Sequence, residues 1–299
     1  MGNVSVPVLV LSLLAASAVW AQPSAAVALT EPLAAWRAEI EAFGGRRVVV
    51  ARVFTDTSSG SVHLPRDAEE RSILAEYLRN SNFLKSVLAA HAVTIHHRQG
   101  PETIHFIPLN MARQAEWSGR EEAVIGLEMG RAWLHAKDYP MPAWEAKDDS
   151  CLAMQAGDLI QRQVIRAELA RRGIDFDGYW LPLLELAAAG MEAAEVRPWK
   201  TIPTCLLMSK LVLWLDVRLG VPPGNWKSRE RFLAALRRSY PILGASADDL
   251  HRQLAGVNFA DRRQYESAVQ LTLNTFYAFV DLVLKRRRIQ VELETFKPQ

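Results

Sequence analysis

The side chains through which this chain could do chemistry begin with its seven histidines, at 63, 91, 96, 97, 105, 135 and 251. His96 and His105 belong to two short β-branched stretches, VTIHHR (93–98) and TIHFIP (103–108), whose linker QGPE makes them a hairpin. If that hairpin closes around Gln99–Glu102, Arg98 faces Thr103 and His96 faces His105. Directly opposed residues share a face of a sheet. The two imidazoles could then form half of a metal site, with His135 or Glu128 as third group, while His97 points away. The plainer alternative is a solvated pair on an exposed sheet face, because spacing of this kind is not a zinc signature.

Glu128 and Arg131 stand inside an apolar run, AVIGLEMGRAWLHAK (123–137). Three residues apart on a helix, they share a face and can pair. They must satisfy each other, since a lone buried charge costs several kcal/mol. Nucleophile arrangements are poor: no Gly-x-Ser-x-Gly elbow occurs. Neighbouring carboxylates occur at Asp148-Asp149, Asp175/Asp177 and Asp248-Asp249. The first and third precede predicted helices, where capping and the helix dipole explain them without glycosidase chemistry.

The elements that must position these residues can be read along the chain. Thr30 caps a helix over EPLAAWRAEIEAF, with Pro32 in its first turn, and Gly44-Gly45 ends it. RRVVVARVF (46–54) is a strand and TDTSSGS a loop. Residues 66–91 read as one amphipathic helix. After the hairpin comes the helix at 118–137, then a break at DYPMPAW. Helices follow over 145–172, 177–190, 199–219, 227–239, 246–255 and 261–287. The predicted class is α+β: a small sheet or hairpin in the N-terminal part, then a mainly helical C-terminal part.

The helix at 118–137 resembles the metal-binding helix of a small gluzincin-type zinc metallopeptidase. In that family two histidines four apart hold zinc and the glutamate beside the first takes the proton of the metal-bound water. Glu128 matches that general base, Gly130 the small residue before the second histidine, and AWLHA the helix continuation. IPLN precedes the helix as an edge strand does in zincins, and CLAMQAGDLIQRQVIRAEL resembles the second helix, with Asp158 as its trailing acid. The metal ligands are replaced by Leu127, Arg131 and, in the third slot, Met154 or Gln155. Over roughly 93–170 the resemblance therefore implies a degenerate metallopeptidase in which Arg131 fills the metal's electrostatic role beside Glu128 and no metal or other cofactor is bound. An unrelated buried helix with one internal ion pair is the competing explanation.

Bulk properties narrow the class. Hydrophobic residues make up 49% and charged residues 23%, as in an ordinary globular protein. The formal charge is +2, from 35 basic and 33 acidic residues, so no global field calls for nucleic acid or an anionic membrane. No Gly-rich strand-to-helix turn supports a nucleotide cofactor. The N-terminal run VSVPVLVLSLLAASAVWA ends in small residues, with Val19 and Ala21 at the −3 and −1 positions of a signal-peptidase site. The expectation is a mature chain from Gln22 in the periplasm or secreted, without stable membrane insertion; the alternative is an uncleaved N-terminal anchor. CLLMSKLVLWLDVRLG (205–220) is interrupted by Lys210, Asp216 and Arg218 and reads as a buried soluble helix. In an oxidising compartment Cys151 and Cys205 are candidates for a disulfide. KRRR (285–288) complements a helix C-terminus, and TLNTFYAFVDLVL before it is apolar enough for burial or a homodimer face.

The expected organisation is a signal peptide at 1–21, a zincin-like α+β core at 22–175 and a helical portion at 176–299 packed on it. The expected function is binding or assembly with a protein or peptide partner by a degenerate metallopeptidase. The alternatives are an active hydrolase with a non-standard metal site and a helical scaffold. Convergence of the hairpin histidines on Glu128 would favour the hydrolase. A hairpin edge antiparallel to helix 118–137, crossed by helix 145–172 and without a histidine cluster, would favour the degenerate enzyme, and neither arrangement would leave the scaffold.

Overall fold

The computed structural model describes residues 27–56, 58–140, 151–193 and 201–283. The N-terminal run, Asp148-Asp149 and KRRR lie outside them. The chain is α+β. Helix α1 (Glu31–Glu41) leads through Gly44 and Gly45, both in the left-handed region at φ 71° and 58°, into β1 (Arg46–Asp56). Thr30 stands at the helix N-cap, but its hydroxyl donates to Glu122 rather than capping. A short strand β2 (Ser61–His63) pairs antiparallel with the end of β1 where a loop is expected from the sequence. The predicted helix at 66–91 is two helices, α2 (Ala68–Tyr77) and α3 (Ser81–Ala89). The break has a local cause: the Asn80 side chain accepts from the Phe83 amide at 3.2 Å, competing with the helix ladder.

The hairpin is β3 (Ile95–Gln99) and β4 (Glu102–Asn110), turning at Gly100 with φ 60°. Its register sets His96 opposite His105 and Arg98 opposite Thr103. Strand β4 also runs parallel to β1, giving a four-stranded sheet in the order β2-β1-β4-β3. A short α4 (Gln114–Trp117) precedes α5 (Glu121–Ala136). Beyond it come α6 (Cys151–Arg171), α7 (Phe176–Ala193), α8 (Thr204–Gly220), α9 (Arg229–Ser239), α10 (Gly244–Leu254) and α11 (Arg262–Ala278), which ends in a π-helical turn, Phe279–Val283.

The sheet is covered on both faces, and strand periodicity decides which side chains go where. Ile104 and Phe106 of β4 pack with Ile73, Leu74, Phe83 and Val87 of α2 and α3. Ile107 and Leu109 join the larger core with α1, α5 and the C-terminal helices. That larger core includes residues from Leu33 to Val280. Helices α5 and α6 run antiparallel at close range. An added Cβ at Gly126 would lie 2.6 Å from Leu169, and one at Gly130 would lie 2.5 Å from Ile165. Cys151 and Cys205 form a disulfide joining the starts of α6 and α8. Among the described residues no helix is long and apolar enough to cross a membrane.

Candidate functional site

The α5 face turned to the hairpin carries Glu128, Arg131 and His135, at the i, i+3 and i+7 spacing of one helical stripe. Thr94 and His96, two apart on the edge of the sheet, project toward that stripe. The Thr94 hydroxyl lies 2.7 Å from the Glu128 carboxylate and 2.9 Å from its backbone carbonyl. One step along, the His96 ring stacks on His135 with centroids 4.1 Å apart and planes 18° from parallel. The contacts therefore advance in the same direction along β3 and α5. This is not the antiparallel, cluster-free arrangement that would have favoured the degenerate enzyme.

Two sub-sites result. The first is an ion network. Arg131 donates to Asp158 at 2.7 Å and to Gln161 at 3.1 Å, and lies 3.4 Å from Glu128. Asp158 also holds Arg162 at 2.5 Å, and Arg162 reaches Asp216 at 3.3 Å. Asp216, fully buried on α8, further accepts from Gln163 at 2.7 Å and Arg166 at 3.4 Å. Three acids and three arginines thus neutralise one another where α5, α6 and α8 meet, the condition under which buried charge is tolerable. Burial pushes the Glu128 carboxyl up, opposed by Arg131 and Thr94. Asp158 is held down because, against its own burial, it sits between Arg162 and Arg131. Asp158 thus meets Arg131 directly. Met154, from the third-ligand slot, is instead a partly buried residue packed against the core.

The second sub-site is a histidine triad. His96, His105 and His135 each offer a ligand nitrogen, and these atoms all lie within 4.8 Å of one another. His105 is fully buried, which overturns the expectation of a solvated pair. It shares a sheet face with Ile107, so the pleat aims it at α5. His96 Nδ1 and His105 Nδ1 are 2.9 Å apart. His97 points away, toward Tyr77 and Glu76. All three triad imidazoles are held neutral. Burial is the largest cause for each; neighbouring imidazoles add to it at His96 and His105, Arg46 at His105 and His135, and Arg131 at His96. For His105 the value falls to about 3. The triad converges on His135 and not on Glu128, which is taken up by Thr94 and Arg131.

Thr94, Gln161, Arg162, Gln163, Arg166 and Asp216 had no signal as site residues, apart from Arg162 falling four residues after Asp158 on one helix. Asp175, Asp248 and Asp249 have structural partners. Asp175 accepts from the Gly178 amide at 2.8 Å. Asp248 and Asp249 lie inside α10 rather than before it, and pair with Arg218, Arg237 and Arg252. No protein-family model, curated protein or solved structure matches the chain.

Proposed function

We propose that the chain is an exported, non-catalytic protein of metallopeptidase-like design that binds a protein or peptide partner, with Arg131 standing where a peptidase would hold its metal. One observation carries this reading. The guanidinium lies between Glu128 and Asp158, the two acids the peptidase comparison singles out. A cation fixed there occupies, by charge-assisted contacts, the carboxylate that would otherwise act as base. Export is supported by the Cys151–Cys205 disulfide, a bond that persists in oxidising compartments.

The test is hydrolysis of casein and a mixed peptide library by the purified chain starting at Gln22, with one equivalent of Zn2+ added. No cleavage above a Glu128→Gln control is expected. Cleavage by the wild type that disappears in that control would refute the reading and favour the active hydrolase.

A further inference from the structure

The histidine triad lies outside the ion network and is not used by the binding role proposed above. Among the described residues its imidazole nitrogens have no carbonyl or carboxylate partner. His96 Nδ1 and His105 Nδ1 meet each other, while His105 Nε2 and His135 Nδ1 are buried without any hydrogen-bond partner. Whichever tautomer His105 adopts, one of its nitrogens stays unsatisfied inside the protein, which is costly for a buried polar group. Buried histidines in a structural core normally donate or accept to backbone; three that face only one another are arranged for a ligand.

We infer that His96, His105 and His135 form a binding site for a transition-metal dication of the zinc class, held by three imidazoles from β3, β4 and α5. Imidazole ligands select Zn2+, Ni2+ and Cu2+ over Mg2+ and Ca2+. Tetrahedral coordination at about 2.0–2.1 Å sets ligand nitrogens about 3.4 Å apart, inside the span these three occupy. His105 meets each of the other rings at a steep angle, 84° and 74°, with centroids 5.0 and 5.1 Å away. His96 and His135 lie nearly parallel, so the His135 ring tilts out of the stack to bring its lone pair to the ion. Its partial exposure at the end of α5 leaves room for that motion.

The surrounding charges shape the fourth position. Arg46 contacts Asp138 at 3.5 Å, and Asp138, exposed just past α5, is the acid whose charge acts on His135. Three neutral imidazoles leave the fourth position of a tetrahedral dication to water or an anion, and the charge of Asp138 favours a cation beside His135. Among the described residues no carboxylate is oriented behind the imidazoles, so affinity is about 10–100-fold below that of a site with such support. Glu128, two helical turns from His135 and about 10 Å along the axis, does not reach the ion. Metal binding here and the absence of peptidase activity are therefore independent, and either can fail alone.

The experiment is calorimetric titration of Zn2+, and visible spectroscopy of Co2+, on tag-free chain stripped with EDTA. The wild type is compared with His96→Gln, His135→Gln and, as a control on a separate histidine, His251→Gln. Expected are one equivalent of Zn2+, a four-coordinate Co2+ spectrum, and at least 100-fold weaker binding in the two triad variants with unchanged circular dichroism. His251→Gln keeps wild-type affinity. Absence of saturable binding, or binding that survives both triad substitutions, overturns the proposal.

Discussion

Acidification below neutrality destabilises this protein through the histidine triad, in a window above that of its low-held carboxylates. His105 has an ordinary value of 6.5 and falls to about 3 in the folded chain. The folded state therefore excludes a proton that the unfolded chain accepts. The stability that His105 contributes is complete above pH 6.5 and is lost as pH falls toward 3. At pH 5.0 the unfolded imidazole is almost fully protonated and the folded one is not, so the loss is about 2 kcal/mol. His96, also held well below its ordinary value by burial and by its histidine neighbours, acts in the same direction. Carboxylates held low, such as Glu116 and Asp158, have ordinary values of 4.5 and 3.8, so their losses come mainly below that window. Glu128 works in the opposite sense: its raised carboxyl holds a proton more tightly when folded, which offsets part of the loss as pH falls. The assay is urea unfolding in EDTA at pH 7.5 and 5.0, for wild type and His105→Gln. The variant loses stability overall, but its difference between the two pH values shrinks by about 2 kcal/mol. Equal stability of the wild type at both pH values, or an unchanged difference in the variant, would refute the assignment of these imidazoles as buried and neutral.

Other perturbations test the ion network and the helix packing. Arg131→Met strands Glu128 beside Asp158 and is expected to cost about 3–5 kcal/mol in urea unfolding, while the Glu128→Gln/Arg131→Met double variant recovers much of it because the unpaired acid is gone. Gly130→Ala pushes a methyl to 2.5 Å from the buried Ile165 side chain; a net loss of about 1–3 kcal/mol is expected, despite the better helix propensity of alanine. Cys151→Ala/Cys205→Ala removes a link across 54 residues of sequence separation, and loop-closure entropy sets the expected loss at about 4 kcal/mol, read as a lower denaturation midpoint of the oxidised wild type's variant.

What the sequence determined by itself is what lies within reach of local spacing. The four residues QGPE fix how the hairpin closes, and once the turn is fixed a period of two dictates that His96 meets His105 and that His97 faces the other way. The apolar run around Glu128 and Arg131 likewise fixes a buried helix with a charged stripe, and the α+β division follows from where β-branched runs stop. Spacing could not say that 66–91 breaks at Asn80, since an amphipathic pattern survives a one-turn interruption. Tertiary structure decided the rest. His135 was a candidate third group on equal terms with Glu128; the pleat of β4 aims His105 at α5, and the placement of β3 along that helix chose His135. Glu128 went to Thr94 and Arg131 because α6 runs antiparallel to α5 closely enough, over Gly126 and Gly130, to bring Asp158 to the same guanidinium. Asp216 entered that network from α8, more than fifty residues away in sequence. Contacts of that range depend on how helices stack around the sheet, which no periodicity within one element records.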